Sequence, residues 1–316
     1  MAGDVDATLR RTQAALRAAS VTGGESAVVD ALADQISGAD LTSLLLEVTR
    51  RRAEALSPAH VMRQFARDRT VEPGLVDARS LHRVIATVID AIPEDFEIVE
   101  LSPVAPLGTH STVATVHQHK VVSTVRASEV AADPTNALAL LAAARRRADP
   151  LIGPARLGAV QRVLRTQPFG TEGQQHFTVL GLVTAGRDRG NLDFERAALV
   201  EQLGALVGAI RSVTAASITL RLTSLRDAYT DALIDTVRMA LATAAPVALT
   251  VVADPDRRAG RGYYRDLCFK IHVSSDSGEF EVGDGGFTDW TAQLVGSRKE
   301  RLLTSGLGLD RLSSVA

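Results

Sequence analysis

The chain has 316 residues, 46% of them apolar and 23% charged, with 24 glycines and 11 prolines, which suffices for a sizeable core and excludes the low-complexity and disordered classes. Thirty-five basic against 37 acidic residues leave a formal net charge of −2, so no global field draws in nucleic acid or an anionic membrane. Aromatic residues are only 4% of the chain, which leaves few platforms for stacking single-stranded bases.

Cys268 is the only cysteine; a disulfide framework, a Cys-x-x-Cys pair and a cysteine-rich zinc site are excluded, and a cytoplasmic setting is expected. Asp4, Asp6 and Arg10 have no apolar stretch behind them, so the N-terminus does not read as a signal peptide. The most apolar uncharged window, residues 239–253, is too short to span a bilayer and is broken by Pro246.

Residues 4–65 read as helices only, with runs at 9–16 and 28–36 and a third run capped by Asp40 that carries Leu41, Leu44, Leu45 and Val48 on one face. Glu72-Pro73-Gly74 closes this extension and sets a boundary near residue 72. Asp77 then caps a helix whose Leu81, Val84, Ile85, Val88, Ile89 and Ile92 share one face of a 3.6-residue period. A strand is expected at 96–101, ended by Pro103 and Pro106, and another at 121–125. Asp133-Pro134 starts a helix reaching Arg145 to Arg147. Strands at 160–165 and 177–184 follow, joined by a Gly/Pro-bearing loop at 168–173. A long helix at 194–210, a strand at 218–222 and a helix capped by Ser224 with Asp227 three residues on come next. Leu267, Phe269, Ile271 and Val273 alternate with Cys268, Lys270 and His272, and a turn at 274–278 leads to Phe280 and Val282, a hairpin pattern. The order indicates an α+β domain on an antiparallel sheet.

No P-loop sequence occurs, and Gly306-Leu307-Gly308 lacks the third glycine of a dinucleotide fingerprint, since Arg311 stands there. His117-Gln118-His119 would put two imidazoles on one side of a strand, but only His110 offers itself as a third ligand and without a spacing argument, so a polar strand edge is expected and no metal site is assigned. Arg50 to Arg52 and Arg145 to Arg147 read as solvated helix faces. Two arginines stand out: Arg165 ends a strand just before the loop at 168–173, and Arg311 follows Gly306 and Gly308 beside a helix start. Two guanidinium groups presented by a rigid sheet suit a polyphosphate; two unrelated surface arginines are the plainer alternative.

The order of motifs resembles the catalytic core of class II aminoacyl-tRNA synthetases, most nearly histidyl-tRNA synthetase and its paralogue, the regulatory subunit of ATP phosphoribosyltransferase, over residues 77–312. The strand at 96–101 with Pro103 looks like motif 1. Val163-Leu164-Arg165-Thr166-Gln167, the loop and Gln175-His176-Phe177 look like motif 2, and Gly306-Leu307-Gly308-Leu309-Asp310-Arg311-Leu312 like motif 3. The stretch from Asp254-Pro255 to Tyr263-Tyr264, and Gly285-Gly286-Phe287-Thr288-Asp289, echo two further family segments. The resemblance implies an antiparallel sheet flanked by helices, a core at 73–316 with the helical extension at 1–72, and a homodimer through the motif 1 strand. It also implies ATP and Mg²⁺, with Arg165 on the α-phosphate, Arg311 on the γ-phosphate, and Gln167, Phe177, Gly306 and Gly308 around the nucleotide.

The sequence departs from the family pattern as well. Counting back from Tyr263-Tyr264, the family's catalytic arginine falls on Ala259 and its aspartate on Gly262, with Arg258 and Arg261 flanking the gap as substitutes. Gln167 replaces the motif 2 glutamate, and anchoring on Pro134 puts Thr135 where the histidine-binding glutamate would stand. Thr135, Tyr264, Gln293 and the Gly285-Gly286 backbone would line the amino-acid side, and the loss of acidic partners there favours a side chain less basic than imidazole. The chain stops after motif 3, so no anticodon-binding domain is expected. The implied function is ATP-dependent activation of a small carboxylic or amino acid other than histidine as an acyl-adenylate, for a non-tRNA acceptor. The alternative is a non-catalytic paralogue acting as a regulatory or scaffolding subunit, with the N-terminal helices meeting a protein partner; nucleic acid and membrane are not expected as partners.

Overall fold

The computed structural model describes residues 10–14, 17, 27–167, 174–226, 231–244, 248–258, 260, 262–275 and 278–315. It comprises two compact units, Met1–Glu72 with Ser123–Glu129, and Pro73–Val122 with Val130–Ala316. Its strands are β1 (Glu97–Ile98), β2 (Val104–Pro106), β3 (Ser128–Val130), β4 (Ala155–Leu164), β5 (His176–Arg187), β6 (Ser217–Ser224), β7 (Leu249–Ala253), β8 (Arg265–Ser275), β9 (Gly278–Thr288) and β10 (Glu300–Gly308).

The first unit is built from helical turns at Ala27–Asp30 and Ala31–Gln35 and the helices α1 (Gly38–Glu54) and α2 (Pro58–Phe65). Ser37 and Ser57 cap α1 and α2 by accepting from the Asp40 and His60 amides, and Pro58 sits where a helix needs no amide. The Arg50 to Arg52 stretch has the expected solvated character. Arg50 and Arg51 both hydrogen-bond Glu47 at 2.7 Å, and these bonds, Arg50 first, hold its carboxyl down at about 2.

In the second unit Asp77 accepts from the Ser80 amide at 2.8 Å and starts α3 (Ala78–Ala91). The helices α4 (Pro134–Ala148), α5 (Asp193–Val213), α6 (Asp231–Ala244), α7 (Trp290–Val295) and α8 (Leu309–Ser313) follow in order. The sheet runs β1-β4-β5-β10-β9-β8-β6-β7. Its six central strands are antiparallel throughout, and β1 and β7 add in parallel at the two edges. Alternate residues of a strand face opposite sides, and two cores result. Leu180 and Leu182 of β5 pack with α3, α5, α6 and α8, while Val183 and Ala185 pack with α4 and Trp290. Gln202 rivets α5 to the sheet: its amide nitrogen donates to the Leu303 carbonyl at 3.1 Å and its oxygen accepts from Ser305 at 2.7 Å.

Several sequence expectations are corrected. The strand expected at 96–101 shrinks to β1, because after Val99 donates to the Gly158 carbonyl the Gln161 side chain takes the Ser102 carbonyl at 2.8 Å in place of a main-chain partner. Pro103 precedes a second strand, β2, instead of ending the region. Residues 121–125 make no strand. They form one arm of a tight turn in which Thr124 donates to the Ser128 carbonyl and Ala127 adopts a φ of 53°. His117 and His119 lie on a 3₁₀ turn, where the His117 ring accepts from the His119 amide, so a shared strand face does not exist; among the described residues no group of three His, Cys, Asp or Glu is arranged for a metal. Ser224 ends β6 opposite Leu267, and Asp227 falls outside the described residues. Arg146, expected in solvent, is 1% exposed and paired with Glu300, because α4 turns that position into the sheet.

Candidate functional site

The N-terminus of α4 lies over the middle of the sheet on the face covered by α4 and α7. Gly181 lets it come close, since a Cβ there would stand 2.8 Å from the Pro134 ring. Beside this contact a cavity of about 440 Å³ opens, lined among others by His110, Asp133, Asn136, Arg165, Tyr264 and Asp284.

Asp133 organises the mouth. One oxygen, Oδ1, accepts from the Thr135 amide at 2.9 Å and the Thr135 hydroxyl at 2.7 Å, which is the helix cap. The other accepts from Arg165 Nη2 at 3.1 Å. Arg165 also donates through Nε to the Ala132 carbonyl at 2.8 Å, and its guanidinium lies 5.1 Å from the Phe177 ring centroid, within cation–π range. It is therefore held from three sides while 29% of its side chain stays open.

Asp284 forms the floor. It accepts from the Tyr264 hydroxyl at 3.1 Å, and Arg257 Nη2 lies 3.6 Å away. Arg257 is almost fully buried, donates to the Phe269 carbonyl at 2.8 Å and sits 5.6 Å from the Tyr264 ring. Protein surrounds the Asp284 carboxyl even though 40% of the side chain is reached by solvent through the cavity. This enclosure raises its pKa, with Arg257 opposing the rise. Burial, seconded by Asp284, likewise raises both Tyr263 and Tyr264, so both phenols keep their protons at neutral pH, and Tyr264 donates its own to Asp284. The Tyr263 ring stacks 6.3 Å from Trp290 and closes one wall.

On the third side the Ala132 amide donates to His110 Nε2 at 3.0 Å. The ring proton is then on Nδ1, which donates to Asn136 Oδ1 at 2.7 Å.

Of the residues singled out from sequence, Arg165, Gln167, Thr135, Tyr264 and Gly306 line the cavity, and Phe177 lies beneath Arg165. Gly285 and Gly286 pack below it: a Cβ on Gly286 would meet Tyr264 at 2.6 Å and one on Gly285 would meet Phe269 at 2.4 Å. Gln293 is turned to Asp289 at 2.8 Å on the exposed side of α7. Arg258 is exposed, and Arg261, Ala259 and the loop at 168–173 lie outside the described residues. Strands β4 and β10 point the same way, both being antiparallel to β5, so Arg165 and Arg311 leave the same end of the sheet. Arg311, however, is carried by α8, whose Leu309 and Leu312 join the core of the opposite face. Its guanidinium is exposed and donates to the Glu281 carbonyl at 2.9 Å, and Gly308 is the residue before that helix.

Sequence reasoning missed Arg257, Asp133, Asp284 and Asn136 as site residues and weighed His110 only as a metal ligand. Asp133 is more than a cap, and beside Gln167 and Thr135, the positions that lack the family's acidic partners, the cavity wall carries two other carboxylates, Asp133 and Asp284. The spacing count behind Ala259 crosses Gly260, whose φ is +74°. Two residues earlier than the counted position, Arg257 is the cation that reaches Tyr264 and Asp284.

A mixed eight-stranded sheet with six antiparallel central strands, flanked by helices and bearing a charged cavity at the start of α4, defines the class II synthetase-like α+β fold. Its structural neighbours are histidyl-tRNA synthetases and the regulatory subunit of ATP phosphoribosyltransferase. A protein from Bacillus halodurans C described as an ATP phosphoribosyltransferase regulatory subunit/histidyl-tRNA synthetase superposes with a TM-score of 0.60 at 12% identity, covering 77% of this chain and 82% of the other. The histidine–tRNA ligase subunit of Alicyclobacillus acidocaldarius gives 0.57 at 15%, over 79% and 96%. The S. aureus histidyl-tRNA synthetase gives 0.56 at 14%, over 75% of this chain and 64% of that one. At these identities the likeness is one of fold. No family model matches the sequence, and no curated protein does. No helix among the described residues is long and apolar enough to cross a membrane.

Proposed function

We propose that the chain is an adenylate-forming ligase that binds a small amino acid in the 440 Å³ cavity and activates its carboxylate with ATP. The observation that carries this reading is Arg165, fixed by the Ala132 carbonyl, Asp133 and the Phe177 ring yet open to the cavity. A cation so placed binds an anionic centre without first having to be ordered. Asp133 and Asp284 receive the substrate ammonium, which turns its carboxylate towards Arg165. One carboxylate oxygen attacks the α-phosphorus of ATP while the bond to the bridging oxygen breaks, and pyrophosphate leaves with that electron pair. The step asks for alignment and charge neutralisation more than for a general base. Arg257 supports it from below by holding Asp284 and Tyr264, in place of Arg258 and Arg261, the neighbours from which the sequence led one to expect a substitute for the family's arginine. The residues present fit a nucleotide beside Arg165: the Phe177 ring, Gln167 and the bare backbone of Gly306. Mg²⁺ would supply charge neutralisation to the triphosphate, and no side chain is assigned to it. Self-association through the β1 edge, which ends the sheet, belongs to the same reading. So does a protein partner for the first unit, whose α2 leaves Met62 63% and Phe65 49% exposed.

The test is exchange of labelled pyrophosphate into ATP across the twenty amino acids. Exchange is expected with at least one small amino acid and should fall on the order of 100-fold or more in Arg165→Ala. Silence across the whole panel with folded protein refutes the reading. A second reading, a non-catalytic regulatory or scaffolding subunit, is favoured by one observation: Arg311 is engaged with the Glu281 carbonyl. It predicts silent exchange together with an effect on the activity of a partner enzyme.

A further inference from the structure

Asn136 is 2% exposed, lines the cavity, and has one amide atom with no hydrogen-bond partner, Nδ2. A buried donor left in this state has lost its hydration without compensation. The amide cannot turn round to escape. The Ala132 amide occupies His110 Nε2, so Nδ1 carries the proton, and that proton needs Oδ1 of Asn136; a reversed amide would set donor against donor. His110 therefore fixes the orientation of the unpartnered N–H₂ on a residue that lines the cavity.

We propose that Asn136 Nδ2 is a specificity determinant that donates to an uncharged oxygen acceptor in the side chain of the bound amino acid, a carboxamide or a hydroxyl. The inference rests on reading the cavity as an amino-acid site and adds the substrate class. A neutral acceptor is selected over a carboxylate because Asp133, the cap three residues before Asn136 and on the same face of the first turn, and Asp284 already place two carboxylates on the wall. The cation at the mouth, Arg165, serves the α-carboxylate. An apolar side chain of the same shape would leave Nδ2 unpaired and be rejected for that reason.

Binding is measured by calorimetry on the full chain with two isosteric pairs, threonine against valine and asparagine against leucine, with aspartate as the charged control. The wild type should bind the oxygen-bearing member of at least one pair on the order of 10- to 100-fold more tightly than its apolar partner, and aspartate more weakly than asparagine. Asn136→Leu and Asn136→Ala each remove the donor without offering an acceptor to a ligand hydroxyl or carboxamide N–H. Each should bring that ratio close to one, with valine or leucine binding retained as the sign that the cavity is intact. An unchanged ratio in both variants overturns the inference while the amino-acid reading stands. A wild type that prefers the apolar member or aspartate overturns it in the same way. If no amino acid of the twenty binds the wild type, the reading of the cavity fails and the role of Asn136 falls with it.

Discussion

Replacing Arg146 by methionine tests how the site is held in place. Arg146 and Glu300 are 1% and 3% exposed; Nη2 of the arginine donates to Glu300 Oε1 at 3.1 Å, Nε donates to the other oxygen, and Nη1 serves the Ile152 and Gly153 carbonyls at 3.2 and 3.4 Å. The pair ties the C-terminal end of α4 to the start of β10, and both elements also line the cavity, through Asn136 and Thr304. Removing one partner strands a buried carboxylate and costs about 3–5 kcal/mol, a large part of the roughly 5–15 kcal/mol that stabilises a domain. For a unit of this size about 2–4 °C of melting temperature goes with each kcal/mol, so Arg146→Met should melt on the order of 10 °C below the wild type in calorimetry. Glu300→Leu alone should cost a similar amount, because it strands the guanidinium. The double variant should recover more than half of either loss, since a well-packed apolar pair is close to neutral relative to a buried ion pair. A single variant within about 2 °C of the wild type, or a double variant as unstable as the sum of the singles, would refute the reasoning.

Gly286→Ala would drive a methyl group to 2.6 Å from Tyr264 and 2.8 Å from Cys268, and the overpacking should cost about 1–3 kcal/mol in urea unfolding while shifting the tyrosine absorbance as Tyr264 leaves Asp284. Burial holds His272 below its ordinary value of 6.5, and its Nδ1 is buried without a partner. The unfolded chain then binds the more protons, so this residue's contribution is present above pH 6.5 and is lost as pH falls below it; His272→Gln should melt with a shallower acid slope between pH 6.5 and 5, and an unchanged slope would count against the assignment. Asp284 is raised above 3.8 and has the opposite sign, with stability declining as pH climbs from 3.8 through the folded midpoint. Its carboxyl band in difference infrared spectra should titrate above 3.8, and higher still in Arg257→Gln, because the opposing cation is gone.

Local rules placed most of the sheet and its helices. Strands β4, β8 and β9 are legible from their apolar alternation and β5 from its continuous apolar run, and α3, α4 and α5 because Asp77 and Asp133 are caps and the apolar spacing of α5 is continuous. The elements misread are those whose pairing is decided by distant residues. The Gln161 side chain, 59 positions beyond Ser102, closes the region after β1. Arg146 is buried because Glu300, 154 residues away, is buried to meet it; three consecutive arginines carry no local sign of which one turns inward.

The candidate site follows the same division. Arg165, Thr135 and Tyr264 were found because each sits in a motif with a recognisable neighbourhood, a strand end, a cap or an aromatic doublet. Arg257 was lost two residues away because Gly260 at φ +74° bends the chain, so that position along the sequence no longer measures position in space. Asn136 gave no signal and His110 only that of a possible metal ligand, since an imidazole becomes an orienting group only when the Ala132 amide, 22 residues on, occupies one nitrogen and the other is left to face an amide oxygen. The groups that fix a ligand's orientation are thus the ones whose hydrogen-bond capacity is divided among distant parts of the chain, and their count of filled and unfilled donors appears only once the chain is folded. Arg311 completes the argument from the other side: motif order alone aims it at a phosphate, but its guanidinium has a main-chain acceptor in Glu281. A triphosphate must therefore offer it more than that carbonyl does before the two arginines can act on one nucleotide.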